Sequence, residues 1–267
     1  MDEIVKPRAL ITGGSAGIGF EIAKLLAEDG HDLIITGSSA RVQDAAETLR
    51  THEVDVIAVQ SDLSTEEGVR DVVDTVRKAG RVDVVVLNAG IAIGGAFLDI
   101  ALERHLQLLE LNITSTVRLC HALLSKLIET RGKLLLVSSL SATTPTPFES
   151  VYGPSKAFMT SFGHGLREEL KDTGITVTIL HPGATATNFH GRAGMGSTRF
   201  GDYSWKNDPA LVARQGVEAL RAGVTSVIGG DAATQEAGAE HKILSEEEKA
   251  RRHAVLARPD QKGTDNA

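Results

Sequence analysis

Cysteine is nearly absent from this sequence: Cys120 stands alone among 267 residues. A single cysteine excludes an internal disulfide and every multi-cysteine metal site, and it fits a reducing compartment. Excess positive charge is missing as well. With a net charge of −7, the chain has no global basic field to favour nucleic acid or an anionic membrane. Long apolar runs are also lacking. The most apolar stretch, "VDVVVLNAGIAIGGAFL", is broken by Asn88 and several glycines, which makes it too poor for a membrane span. The opening "MDEIVKPRAL" is acidic and lacks the basic-then-apolar order of a secretory leader. His105, His121, His164 and His181 have no H-E-x-x-H or cysteine companion, so no metal site is expected. Together these absences predict a soluble, cytoplasmic protein with no nucleic-acid or membrane partner.

What is present is an alternation. Continuous apolar runs at 8–12, 32–36, 54–59, 82–87, 133–138 and 175–180 read as strands covered on both faces. Amphipathic stretches at 17–29, 40–50, 65–79, 103–129 and 153–172 read as helices between them. The third opens on "STEE", a capping-box pattern at Ser64 and Glu67. A further helix near 208–222 and a short strand at 225–228 complete the series. Repeated strand–helix alternation predicts an α/β fold, a doubly wound and mostly parallel seven-stranded sheet with helices on both faces. One such domain spans 1–230. The remainder, 231–267, reads as a polar, peripheral tail with one short helix near 245–257.

Directly after the first strand comes "LITGGSAGIGFEIAKLL". Gly13, Gly17 and Gly19 permit a tight turn that brings backbone close to a pyrophosphate at a helix N-terminus. Ser15 and Ile18 belong to the same loop. A rival reading uses the same letters: "GGSAG" matches G-x-S-x-G, the nucleophile elbow of serine hydrolases, with Ser15 as nucleophile. Two features weigh against it. The elbow would sit on the first strand, with little sheet before it to build an oxyanion hole, and Gly19 would have no task.

An enzyme that selects NAD carries an acid at the end of the second strand. Here the chain reads "IITGSSARVQ", with Gly37, Ser38 and Ser39 at that place. The hydroxyls of Ser38 and Ser39 and the cation of Arg41 suit a 2′-phosphate, which favours NADP(H) over NAD(H). The plainer reading is a helix cap with a solvated arginine.

Further along, "VYGPSK" sets Tyr152 and Lys156 one helical turn apart, with Pro154 suited to a first helical turn. Asn112 lies inside "LELNITSTVRL", where polar residues crowd the middle of an otherwise good helix. Such a local contradiction often marks a functional site.

With these motifs in order, the chain resembles the short-chain dehydrogenase/reductase family over roughly residues 7 to 230. "TGGSAGIG" matches the family's cofactor loop. "SDL", with Asp62 and Leu63, matches its adenine contact, and "LNAG", with Asn88, Ala89 and Gly90, matches the motif after its fourth strand. Asn112, Ser139, Tyr152 and Lys156 fall at the spacing of its catalytic tetrad. Only that spacing selects Ser139 over Ser138 and Ser141. "PGATAT" matches P-G-x-x-x-T, so Pro182, Gly183, Thr185 and Thr187 are expected at the nicotinamide.

The resemblance implies an NADP(H)-dependent oxidoreductase acting on a carbonyl or secondary alcohol. Tyr152 would be the general acid and base, with Lys156 lowering its pKa and also reaching the cofactor ribose. Ser139 would polarise the carbonyl, and the Asn112 backbone carbonyl would hold a water linked to the lysine. A non-catalytic dinucleotide sensor is the other alternative, and the intact tetrad argues against it. The aromatics of "NFHGRAGMGSTRFGDYSW" (188–205) read as a lid over an apolar pocket. Small ketones, aldehydes, steroids and sugar derivatives all fit such a site. A homodimer through the helices at 103–129 and 153–172, or a homotetramer, is expected. The C-terminal end departs from the family pattern and puts the tetramer in doubt.

Overall fold

The computed structural model describes residues 6–259. Residues 1–5, which carry part of the leader reading, and 260–267, the end of the expected tail, lie outside the described residues. Seven strands form the centre: β1 (Arg8–Ile11), β2 (Asp32–Gly37), β3 (Val56–Gln60), β4 (Val84–Leu87), β5 (Lys133–Val137), β6 (Thr176–Pro182) and β7 (Ser226–Gly229). They run in the order β3-β2-β1-β4-β5-β6-β7, and every neighbouring pair is parallel. Strand order reverses direction between β1 and β4, so a crevice opens beyond their C-terminal ends.

Three helices precede β4: α1 (Gly17–Glu28), α2 (Arg41–Arg50) and α3 (Glu66–Ala79). Next come α4 (Leu102–Leu109), α5 (Ser115–Thr130), α6 (Tyr152–Glu169) and the short α7 (Phe189–Arg192). The last three are α8 (Pro209–Ala222), α9 (Ala232–Glu240) and α10 (Glu246–Ala257). Successive strand residues feed opposite faces, as the pleat requires. Ile11, Ile35, Val86 and Leu135 join a core with residues of α1, α2 and α8. Their neighbours Leu10, Ile34, Val85 and Leu134 join a second core with residues of α3, α5 and α6. Both faces of the sheet are thereby covered, which is why its strands read as unbroken apolar runs. No helix among the described residues is long and apolar enough to cross a membrane.

Three local expectations change. The cap of α3 is Thr65, whose side chain accepts from the Gly68 N–H at 3.0 Å. Ser64 is unavailable, because its own N–H and hydroxyl both bond the Asp62 carboxylate. The single helix expected over 103–129 is α4 and α5 joined by a wide π-type turn at Glu110–Thr114. Polar residues drive that turn: the Ser115 hydroxyl donates to the Leu111 carbonyl at 2.5 Å, and the Thr116 hydroxyl to the Asn112 carbonyl at 3.0 Å.

The third change is at the C-terminal end. Where one peripheral helix was expected after residue 231, two helices stand, capped by Asp231 and Ser245. They are not peripheral. The Lys249 ammonium donates to the Thr143 carbonyl at 3.1 Å, and His253 meets Glu149 at 3.1 Å. Ala257 is buried in a third cluster that also holds Tyr152, Met195 and Phe200. The polar composition of α10 concealed one inward face built from Lys249, His253 and Ala257.

Candidate active site

At the β1 end, Gly13 and Gly17 adopt φ of +65° and +57°, a region that side chains other than glycine rarely enter. A Cβ on Gly19 would collide with the Gly13 carbonyl and the Asn88 amide. The loop is therefore compact, and it delivers α1 with a bare N-terminus. Its cap residue, Ala16, has no side-chain acceptor, and the first turn contains no acid. Unsatisfied N–H groups with the positive end of the helix dipole fit an anionic phosphate group. The glycine cradle and uncapped helix thus suit a dinucleotide.

Asn88 joins this loop to β4. Its side-chain amide donates to the carbonyls of Thr12 at 2.9 Å and Gly13 at 3.2 Å. The Thr12 hydroxyl in turn accepts the N–H groups of Asn88 and Ala89.

Asn112 sits fully buried in the π-type turn. Its amide donates to the Ile91 carbonyl at 2.9 Å and to the Ser155 hydroxyl at 3.0 Å, while its oxygen accepts the Ile91 N–H at 3.0 Å. This clamp holds the chain after β4 against α6.

The strand end of β5 and the start of α6 bring Ser139, Tyr152 and Lys156 together. Ser138 also lines the cavity, but its hydroxyl is engaged: it donates to the Lys156 carbonyl at 2.9 Å and pairs with Thr160 at 2.8 Å. Ser139 stays at the cavity, its oxygen accepting the Ser141 N–H at 3.1 Å. Contrary to the lowering expected from Lys156, burial pushes the Tyr152 phenol above its ordinary range. The Ser139 hydroxyl beside it works the other way, and the Glu149 carboxylate adds to the rise. Burial also drives Lys156 down to about 8. Its ammonium donates to the Val137 carbonyl at 2.9 Å and lies 6.0 Å from the Tyr152 ring centre.

These groups share one cavity of about 790 Å³. Its lining includes Gly13, Gly17, Ile18, Asn88, Ala89 and Gly90 from the first half of the site. Ser139, Tyr152, Lys156, Pro182, Gly183, Thr185 and Thr187 complete the set. Other predicted residues lie outside this lining. Gly19 and Asn112 are buried behind it. Ser15 packs against Gly37, where an added Cβ would lie 2.9 Å from its hydroxyl. Ser38 and Arg41 are exposed beyond β2 with Ser39 half-buried, and the Arg41 guanidinium reaches the Ser39 hydroxyl at 3.4 Å. Asp62 is exposed and engaged with Ser64, and Leu63 is buried in the core.

Over the cavity, Phe189 packs on Tyr152 with ring centres 5.6 Å apart. His190 stacks on Phe200 at 4.9 Å, and Phe200 leans on Trp205. This aromatic cover agrees with the segment read as a lid, but the pocket is not wholly apolar. Glu149, His241, Lys249 and His253 also line it. The sequence pattern did not single these out as site residues. Three of them come from the C-terminal segment, and the only available signal was the closeness of Glu149 to Tyr152.

Known proteins of similar sequence and fold give the chain its family. The family model described as short chain dehydrogenase matches residues 7–195. The chain is 36% identical over 185 residues to a sulfoacetaldehyde reductase of Chromohalobacter salexigens, covering 67% of this chain and 73% of that protein. A short-chain dehydrogenase from Sphingobium yanoikuyae in complex with NADPH superposes with a TM-score of 0.79 at 26% identity, over 98% of this chain and 99% of that one. The L-sorbose reductase from Gluconobacter frateurii, complexed with NADPH and L-sorbose, gives a TM-score of 0.75 at 28% identity, over 86% and 98%.

Proposed function

The chain belongs to the short-chain dehydrogenase family, and from that premise we propose that it is an NADP(H)-dependent oxidoreductase interconverting a carbonyl and a secondary alcohol. One observation carries the reading: Ser139, Tyr152 and Lys156 line the same cavity as the glycine loop. When bound, the cofactor supplies or accepts hydride.

The chain's own residues manage the proton. In reduction, the carbonyl oxygen gains negative charge as hydride arrives. Ser139 donates a hydrogen bond to that oxygen, and Tyr152 gives it a proton. Burial raises the Tyr152 pKa, so its proton is given up only as the negative charge on the carbonyl oxygen develops. As the phenol loses its proton, the Lys156 cation stabilises the phenolate. Lys156 is held for this by the Val137 carbonyl. Asn112 fixes the backbone behind the lysine through its two bonds to Ile91, next to Gly90, where an added Cβ would lie 3.3 Å from the Lys156 ammonium. In oxidation the same tyrosine is the base.

For the cofactor, the uncapped N-terminus of α1 would take the pyrophosphate. The close packing of Gly37 on Ser15 leaves no room there for the acid that a ribose diol prefers. Ser38, Ser39 and Arg41 would take the 2′-phosphate. Asp62 and Leu63 are assigned to the adenine, and Thr185 and Thr187 to the nicotinamide.

The catalytic unit comprises residues up to 230, with α9 and α10 completing the cavity wall. A cytoplasmic homodimer, or a homotetramer, paired through α4 to α6 belongs to the same reading. Leu102, Leu106 and Val117 expose apolar surface on α4 and α5 in its support. A panel of ketones and aldehydes assayed with NADPH and NADH in parallel tests the proposal. Turnover with NADPH supports it. Hydrolysis of an ester panel without carbonyl reduction would instead return Ser15 as nucleophile.

A further inference from the structure

Glu149 is 2% exposed, lies on the cavity wall, and precedes Tyr152 in the loop that opens α6. One carboxylate oxygen, Oε2, pairs with His253 Nε2 at 3.1 Å. The other, Oε1, is shielded from solvent and has no hydrogen-bond partner among the described residues. A buried carboxylate oxygen without a donor is costly, and native structures rarely leave one so. The same wall carries two cations, but these are already satisfied. Lys249 is paired with Glu246 at 2.6 Å and with the Thr143 carbonyl. Arg252 is paired with Glu240 at 2.8 Å and Glu248 at 3.0 Å. The unmet demand in the cavity is therefore for a hydrogen-bond donor.

We propose that Glu149, oriented by His253, recognises a hydroxyl group on the substrate, so that the enzyme prefers hydroxylated carbonyl compounds to their deoxy analogues. This rests on the oxidoreductase reading and deepens it. The Glu149 carbonyl accepts the Tyr152 N–H at 2.9 Å and both residues line the cavity, so the hydroxyl that Glu149 binds belongs to the same substrate as the reacting carbonyl. A substrate ammonium is the weaker fit, because the same wall already carries the cations Lys249 and Arg252. The aromatic side formed by Phe189, Phe200 and Trp205 packs on the carbon skeleton, leaving the polar side to read the hydroxyl.

Hydroxyacetone and 2-butanone differ only by hydroxyl against methyl, and they test the proposal with NADPH as co-substrate. The wild-type protein is expected to prefer hydroxyacetone by about tenfold or more in kcat/KM, the scale of a hydrogen bond to a charged group. Glu149→Leu should erase that ratio, while Glu149→Gln, which keeps an acceptor oxygen, should retain part of it. Equal use of both ketones by the wild type, or an equal fall for both in Glu149→Leu, overturns the proposal. So does a preference for aminoacetone over hydroxyacetone.

A second readout separates this inference from the activity on which it rests. Trp205 is the only tryptophan and lines the cavity, so its fluorescence reports binding without turnover. Glycerol should bind more tightly than 1-propanol to the wild type but not to Glu149→Leu. If that difference appears while no ketone is reduced, the oxidoreductase reading fails and the hydroxyl site stands. If it is absent, the hydroxyl site fails.

Discussion

The Lys156 ammonium donates to the Val137 carbonyl at 2.9 Å, tying the first turns of α6 to the C-terminal end of β5. The bond fixes the cation beside Tyr152 and removes it from solvent, so its charge is both useful and costly.

Removing that charge should stabilise the fold and stop the chemistry. Burial depresses the Lys156 pKa from its ordinary value to about 8. The unfolded chain therefore binds the proton more tightly than the folded one between about pH 8 and 10.5. Stability rises with pH through that window, and the full penalty applies below it. Lys156→Met is expected to melt above the wild type at pH 7, and the gap should narrow as pH approaches 10. Thermal melts of both proteins across that range check the sign, and an assay at pH 7 should find the variant inactive.

Carbonyl reduction by the wild type should decline as pH rises through about 8, because Lys156 loses its proton there and the phenolate loses its cation. A kcat/KM profile in the reductive direction reads the fall directly. A flat profile to pH 10 would remove the lysine from the proton step.

Tyr152→Phe keeps the ring against Phe189 but deletes the proton donor. Turnover is expected to drop by about 10²–10⁴-fold, with NADPH binding little changed by equilibrium titration. Wild-type rates in this variant would end the acid–base assignment.

Arg41→Ala removes an exposed cation beside Ser39. KM for NADPH should rise by about tenfold, the scale of one charge-assisted phosphate contact, while KM for NADH stays put. Parallel titrations of the two cofactors distinguish this from general damage.

Asn112→Ala removes a fully buried amide and leaves the half-buried Ile91 N–H and carbonyl without their partner. Each orphaned group costs about 1–3 kcal/mol, so the melting temperature should fall by about 5–10 °C. Denaturant or thermal unfolding measures it.

Much of this architecture was legible because its causes are local. Ile34 and Ile35, like Val85 and Val86, face opposite cores, so the strands could only read as continuous apolar runs. Asn112 contradicted its helix in the sequence and proved to sit in a π-type turn. Tyr152 and Lys156 stood out by helical spacing only in the company of the glycine loop, Asn112, Ser139 and "PGATAT" in order. The pairing of Glu149 with His253 spans a sequence separation of 104, and no periodicity reaches so far. The polar character of α10 told against burial, although only one of its faces turns inward. The capping-box pattern points to Ser64 because pattern alone does not reveal that Asp62 competes for it.

Timing of synthesis gives α10 a further consequence. The glycine loop and β1 leave the ribosome first, whereas Lys249 and His253, which finish the cavity wall, follow after every strand of the sheet. A nascent chain can therefore assemble its nucleotide cradle before it has an enclosed reaction chamber. A chain cut after β7 would lack His241, Lys249, Arg252 and His253, and with them one wall of the cavity.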